Sequence, residues 1–446
     1  MLKKILTYGG IEALAKGLNK SLILILPLFL SVEEFGKVGL LIAAELILPM
    51  LSSLGFDRAI LRFYHEKKKY KCFTGTIISS TISVQLILTL FLLILYLFGV
   101  KEFFGIALFP DIFVLHFNIS LLNIIQLILN IQRTLENHKS YIKLKVVYQV
   151  LKFLLVLALT LMLKSNTSYL WGVSLALLLT VIINLREFRS IVNFEFNKNT
   201  FKFLLIFCWP FIFHTIASNI IGNVDRFIFE RYLTITDVGI YTFGFSVASS
   251  LSFAFQGASV YLEPQIYSSK TRKDRSQKLQ YYLFFTLICG CIGFIILNTT
   301  TQFVVPYYFE AYSDSLYIIP ILTISHLFFP FYYSSNYSLV SDKKPFTVAK
   351  ISVLSAILNV TLLFIFLNFF GYESGAFAFF ASMVTLGITI TLAAKFEARE
   401  NLILCITIAL FSVILIKMNN LVVYFIFILI LISFSIVRLR KIFKEF

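Results

Sequence analysis

The chain has 446 residues, of which 59% are hydrophobic and 17% aromatic, with a mean hydropathy of +0.87. Only 14% are charged, yet the formal net charge is +16, whereas ordinary soluble domains carry about a quarter charged residues. A soluble globular protein is excluded, and the charges must be concentrated in short stretches between apolar runs. A span needs roughly 20 apolar residues, so fourteen spans of about 22 occupy about 308 residues and leave about 138 for loops and ends, too few for a water-soluble domain.

Marking the charge clusters and the apolar runs between them predicts spans at 5–29, 37–56, 73–98, 111–131, 145–163, 168–185, 203–231, 238–261, 281–300, 315–336, 347–367, 374–394, 402–416 and 420–437. The opening MLKKILTYGG has the basic start of a signal peptide. Lys16 and Lys20 interrupt its apolar region and no small-residue cleavage site follows, so it reads as a retained first helix. The cysteines, Cys72, Cys208, Cys289, Cys291 and Cys405, show neither zinc spacing nor a redox motif. No metal and no cofactor is expected.

Orientation follows from lysine and arginine, which stay on the cytoplasmic side. With the N-terminus inside, all but six of the 39 basic residues fall on cytoplasmic segments or the helix ends adjoining them. The exceptions are Lys37, Lys101, Lys164, Arg226, Arg231 and Lys417. The inner loops include 57–72, 132–145, 186–202 and 270–278, and the outer loops are short and often acidic. Both termini are therefore expected in the cytoplasm.

The chain resembles itself at a constant offset of 203 residues. Glu34-Phe35-Gly36 reappears as Asp237-Val238-Gly239, Asp111 as Asp314, and Tyr169 with Gly172 as Tyr372 with Gly375, each at the outer start of a helix. The offset covers six spans, an even number, so both halves enter the membrane in the same sense, as in the parallel-repeat class of transporter. The expected fold is an all-α integral membrane protein with 14 transmembrane helices. Two parallel-repeat six-helix bundles, 1–190 and 200–396, are followed by two additional C-terminal helices, 397–446.

The repeat fixes the length of the first helix, because its partner at 203–231 is long. The first helix then begins near Ile5 and carries Lys20 roughly 22 Å along its axis, at 1.5 Å per residue. A lysine stem does not easily snorkel that far. Glu12, Lys16 and Lys20 are spaced i, i+4, i+8 on one narrow face with Asn19 beside it. Their counterparts are Thr215, Asn219 and Asn223, and that face continues through Arg226 and Glu230. Charges in lipid-facing hydrocarbon are costly, so two such stripes suggest a polar cavity between the halves. Its excess positive charge suits an anionic ligand such as a phosphate. The competing reading is a set of i, i+4 ion pairs that only joins helices. Arg58 and Arg62, at the inner end of the second span, either extend the substrate path or anchor topology.

Glu45 sits mid-span, four residues before Pro49. It is either an acid that protonates during transport or a hydrogen-bonded structural residue, with Lys16 or Lys20 as its ion-pair partner. Asp225, Arg226 and Glu230 read as a salt-bridge cluster near the outer face, and Asp225, Arg226, Glu12 and Glu45 are the candidate coupling or gating residues. Asn118, Asn123, Gln126 and Asn130 show no clean face, and no chemistry is assigned to them.

The stretch Asn223 to Tyr241, NVDRFIFERYLTITDVGIY, together with Ser-Val-Glu-Glu-Phe-Gly at Ser31 to Gly36, resembles polysaccharide transporters. These are the O-antigen and capsule flippases of the multidrug/oligosaccharidyl-lipid/polysaccharide exporter superfamily. The resemblance in architecture covers residues 1 to 400. It implies a V-shaped pair of six-helix bundles that moves an undecaprenyl-diphosphate-linked oligosaccharide across the bacterial inner membrane, from the cytoplasmic to the periplasmic leaflet, by alternating access. Lys16, Lys20, Asn19, Arg58, Arg62, Asn219 and Asn223 are then the candidate substrate-binding residues. The implied partners are this lipid-linked oligosaccharide, membrane lipid, a coupling ion (H+ or Na+) and a polysaccharide polymerase machinery; nucleic acid is not among them. The alternatives are a multidrug or lipid-precursor exporter of the same superfamily, of which a drug exporter should carry unpaired acids rather than lysines, and a polytopic polymerase or glycosyltransferase. The last would need a catalytic platform that the short outer loops do not supply.

Overall fold

Within hydrocarbon the backbone must satisfy its own hydrogen bonds, and for isolated spans only the helix does so. In the computed structural model the apolar runs are helical over most of their described residues. It describes residues 2–64, 66, 72–135, 137–191, 194–267, 269, 271–342, 344–394, 398–418 and 421–444. Among them, seven helical segments are long and apolar enough to cross a membrane. The molecule is a multi-pass, all-α membrane protein.

The first part of the chain runs α1 (Leu2–Ile25), a short turn of tighter helix at Leu26–Leu28, α2 (Val32–Ser53), α3 (Phe56–Phe63) and α4 (Phe73–Leu97). A small antiparallel hairpin of β1 (Glu102–Phe103) and β2 (Ile106–Ala107) precedes α5 (Phe113–Thr134), α6 (His138–Leu163), α7 (Thr167–Ile183), α8 (Leu185–Ile191) and α9 (Lys198–Tyr232). The remainder is α10 (Ile235–Ser249), α11 (Ser252–Tyr267), α12 (Arg272–Tyr308), α13 (Ser315–His326), α14 (Phe329–Ser341), α15 (Pro345–Phe370), α16 (Glu373–Ala394), α17 (Ala398–Met418) and α18 (Leu421–Lys444).

Three expectations need correction. The run 238–261 is not one helix, because α10 ends at Ser249 and α11 starts at Ser252. Ser249 and Ser250 hydroxyls both donate to the Ser246 carbonyl at 3.2 Å, and Ser252 donates to the Ser249 carbonyl at 2.7 Å, side-chain bonds that compete with the helical ladder. The run 315–336 breaks between His326 and Phe329, where Pro330 has no N–H to continue the ladder. The inner loop 57–72 contains α3. Leu54 and Gly55, with φ of 53° and 66°, turn the chain, after which Phe56, Ala59, Ile60 and Phe63 form a helical stripe buried against Phe73, Ile77, Leu127 and Ile131.

The chain packs as two compact units, Leu14–Gly239 and Met1–Ala13 with Ile240–Phe446. In the first, α5 packs on α2, α3 and α7, and α6 lies along α7. The helix α9 belongs to this unit through its packing on α2, α3 and α4, although the sequence repeat pairs it with α1. In the second, α16 packs on α13, α14, α15 and α17, and α12 on α11, α14 and α18.

The repeated motif at Ser31–Gly36 and Thr234–Gly239 has a physical role within the first unit. Ser31 Oγ accepts from Glu34 N at 3.2 Å, and Thr234 Oγ1 accepts from Asp237 N at 3.2 Å while the Asp237 carboxylate accepts from Thr234 N at 3.0 Å. Each motif therefore caps its helix, the second as a full capping box. Two residues past Glu34 and Asp237, the glycines cross. A Cβ on Gly36 would stand 2.3 Å from the Ile235 carbonyl oxygen, and a Cβ on Gly239 would stand 2.2 Å from that of Val32. Ile235 is Val32 displaced by the same 203 residues, so the contact is reciprocal.

Gly36→Ala should destabilise the protein by about 1–3 kcal/mol, the range for overpacking. Gly17→Ala, where a Cβ meets nothing within 4 Å, should be neutral or stabilising by up to about 1 kcal/mol from helix propensity. Unfolding of the purified protein in mixed micelles measures both, and equal midpoints would show that the crossing tolerates a side chain.

Candidate functional site: a polar cavity beside a buried ion pair

The sequence places Glu45 in an apolar stretch of α2, where a lone charge costs at least about 2.5 kcal/mol. The structure supplies partners from two other helices of the same unit. Lys152 Nζ of α6 lies 3.7 Å from Glu45 Oε2. Tyr169 OH of α7 donates to the same oxygen at 2.7 Å, and Lys152 Nζ donates to the Tyr169 oxygen at 3.2 Å and lies 5.2 Å from its ring centre. The expectation that Glu45 pairs with Lys16 or Lys20 is corrected: its partner is Lys152. The other carboxylate oxygen, Oε1, is buried and accepts no hydrogen bond among the described residues. Buried polar atoms nearly always find a partner, and Oε1 is an exception among the described residues.

Glu45 also lines a cavity of about 300 Å³ together with Pro49, Asn123, Gln126, Thr215 and Asn219, among others. Pro49 removes the N–H that would otherwise bond the Glu45 carbonyl. One residue on, the Leu46 carbonyl accepts a 2.7 Å hydrogen bond from Asn219 Nδ2 of α9. Neighbouring helices commonly satisfy the backbone around a proline in this way. Asn123 Nδ2 donates to Ser52 Oγ at 2.7 Å. Beyond Ser52 lies a second cavity of about 430 Å³, lined almost wholly by apolar side chains such as Ile47, Leu88, Phe104 and Val224. Asn123 and Gln126, to which the sequence reading gave no role, thus belong to the polar cavity.

The remaining candidates are distributed as follows. Lys16 is exposed on α1, with Asn19 and Lys20 half-buried, and none of the three is among the residues lining the polar cavity. Arg226 lies close enough to Lys20 to repel it. Arg226 is itself buried, pairs with Asp225 at 3.2 Å, and donates to the Gly222 carbonyl at 2.9 Å. Asn223 donates to the Asn219 carbonyl at 3.0 Å. Asp225 and Arg226 therefore form a buried ion pair. Arg62 is exposed, paired with Glu66 at 2.8 Å and placed over Phe63. The side chains of Glu12 and Arg58 lie outside the described residues.

Comparison with known proteins follows from this fold. Residues 1–261 match the family described as polysaccharide biosynthesis protein. The chain belongs to that family. No curated protein sequence matches it. Among solved structures, the lipid II flippase MurJ in an inward closed conformation is similar over 97% of this chain and 98% of its own, at 14% identity and a TM-score of 0.69. An inward-facing multidrug resistance MATE transporter of the MOP superfamily is similar over 86% of this chain and 95% of its own, at 13% identity and a TM-score of 0.64. The multidrug transporter DinF-BH covers 90% and 95%, at 12% identity and 0.58. At these identities the likeness establishes a shared fold.

Breaking a buried ion pair by removing one partner costs about 3–5 kcal/mol. Lys152→Met should lose stability in that range, and Glu45→Gln less, because an amide oxygen still accepts from Tyr169. The double variant Glu45→Gln/Lys152→Met should recover most of the loss. Unfolding of the four proteins in micelles closes this cycle, and strictly additive losses would show that the pair is not coupled.

Proposed function

We propose that this protein flips an undecaprenyl-diphosphate-linked oligosaccharide, of the O-antigen or capsule type, from the cytoplasmic to the periplasmic leaflet of a bacterial inner membrane. Both termini are cytoplasmic, and the two halves act as parallel repeats in alternating access. The observation that carries this reading is a fold shared with a lipid II flippase along nearly its whole length, in a chain of the polysaccharide biosynthesis family. The charge pattern supports it. Lys16 and Lys20 lie on α1 and Arg226, paired with Asp225, on α9; a dianionic diphosphate beside Lys20 would offset the repulsion from Arg226. Transport, rather than covalent chemistry, is the activity.

Lys20→Ala should abolish polysaccharide export while the protein remains at normal abundance in the membrane. Lys16→Arg should be tolerated better than Lys16→Ala, since charge rather than fork geometry is the contribution. Export assayed in a strain lacking the native gene measures each, and normal export by Lys20→Ala would remove the diphosphate role.

The Glu45 arrangement supports proton coupling within the same reading. Protonation of Glu45 would weaken its hold on Lys152 and Tyr169, so a change of orientation that favours the ion pair would release the proton. In reconstituted vesicles, Glu45→Gln should lose the dependence of transport on the proton gradient. A variant that keeps the wild-type dependence would leave Glu45 with a structural role only.

A further inference from the structure

The two units carry clusters of side chains at corresponding helices, built from different chemistry. In the first unit, Phe56, Ile60 and Phe63 of α3 meet Ile77 of α4 and Ile131 of α5 in an apolar cluster edged by α9 phenylalanines. In the second unit, α11, α12 and α14 hold the corresponding places in helix order. Their cluster contains Tyr282 and Tyr337, with Tyr281 and Tyr333 packed against it. Glu263 of α11 stands among these rings: Tyr267 shares a hydrogen bond with it, and its charge reaches Tyr282, Tyr333 and Tyr337. Ser259, one turn earlier on α11, hydrogen-bonds Tyr282 OH at 2.8 Å.

Packing alone does not explain this difference. The first unit fills its cluster with isoleucine and phenylalanine, which bring no desolvation cost, whereas a carboxylate among rings has to be compensated. The rings are also ordered. Phe329, Tyr333 and Tyr337, at i, i+4 and i+8 on α14, lie nearly parallel, with interplanar angles of 22° and 21° and centroids 5.7 and 6.4 Å apart. Tyr337 is buried at the base, with Tyr267 and Tyr282 edge-on to it. Phe329, Tyr333 and Glu263 are half-buried and Tyr267 is exposed, so the row of rings and the carboxylate are reachable from outside the cluster.

We propose that this row, with Glu263 at its edge, is a sugar-binding platform that engages a ring of the lipid-linked oligosaccharide; this rests on the flippase reading above. A pyranose has an apolar face of C–H groups and a rim of hydroxyls. The first suits a ring face of this stacked row, the second a carboxylate flanked by tyrosine hydroxyls. A cation would use Glu263 and the ring faces, but it favours rings that enclose it over rings in a parallel row.

Saturation-transfer NMR on the purified full chain in nanodiscs tests the assignment, with N-acetylglucosamine and glucose as sugar probes and tetramethylammonium as the cation probe. Transfer to the sugar ring protons should fall about fivefold in Tyr333→Leu, by an amount typical of one aromatic contact, stay near wild type in Tyr333→Phe, and fall several-fold in Glu263→Gln. Melting temperatures of the variants show that the fold is retained. Wild-type protein giving no transfer to either sugar, transfer unchanged in Tyr333→Leu and Glu263→Gln, or transfer to tetramethylammonium alone would overturn the proposal. Because the probes carry neither lipid nor diphosphate, the platform can fail while Lys20→Ala still blocks export, and the flippase reading can fail while sugar binding persists.

Discussion

The reciprocal crossing of Gly36 and Gly239 sets the geometry on which much of the first unit depends. Each helix brings a carbonyl oxygen into the space where the other would carry a side chain, which fixes the separation of α2 and α10 at their first turns. Glu34, two residues before Gly36, is held at the same level. Its carboxylate takes Lys37 at 2.7 Å, Ser165 Oγ at 3.0 Å and the Asn166 backbone N–H at 2.6 Å, tying the start of α2 to the start of α7. Glu45 lies about 14 Å further down α2 at the helical rise, so these two attachments determine where its carboxylate meets α6 and α7.

Polar groups in the first unit are organised by what each would cost alone. Lys152, Tyr169 and Glu45 compensate one another. Asn219 attends the backbone disturbed by Pro49, and Asn123 bonds Ser52 at the boundary between the polar and the apolar cavity. The second unit uses its polar groups differently, on the tyrosine row and Glu263. Two halves that share a helix order have thus diverged in the chemistry of their interiors.

Much of this was legible in the sequence, for identifiable reasons. Apolar runs gave most of the helices, because hydrocarbon length leaves few alternatives. The Ser31–Gly36 and Thr234–Gly239 motifs were legible as repeat landmarks, but not as a contact, since nothing in a sequence offset says that two glycines touch. Glu45 stood out as an acid in an apolar run. That Lys152 is its partner was not legible, because Lys152 follows about a hundred residues later and Tyr169 reads in the sequence only as a repeat landmark. Asn123 and Gln126 lacked a periodic face because the cavity wall is shared among α2, α5 and α9. The breaks after Ser249 and His326 fell inside continuous apolar runs. The clustered serines and Pro330 were the signals present there.

The Glu45–Lys152 pair also bears on how the protein is made. Glu45 emerges from the ribosome about a hundred residues before Lys152, a delay of roughly 5–20 s at ordinary rates of synthesis. During that interval α2 carries an acid whose cost at the centre of a span is about 2.5–3.5 kcal/mol, enough to oppose its release into lipid. The helix therefore has reason to stay beside the insertion machinery until α6 arrives with the lysine and α7 with the tyrosine. On this account the first unit enters the bilayer as a group of helices rather than one at a time, and the charge pair that stabilises the finished protein also times its assembly.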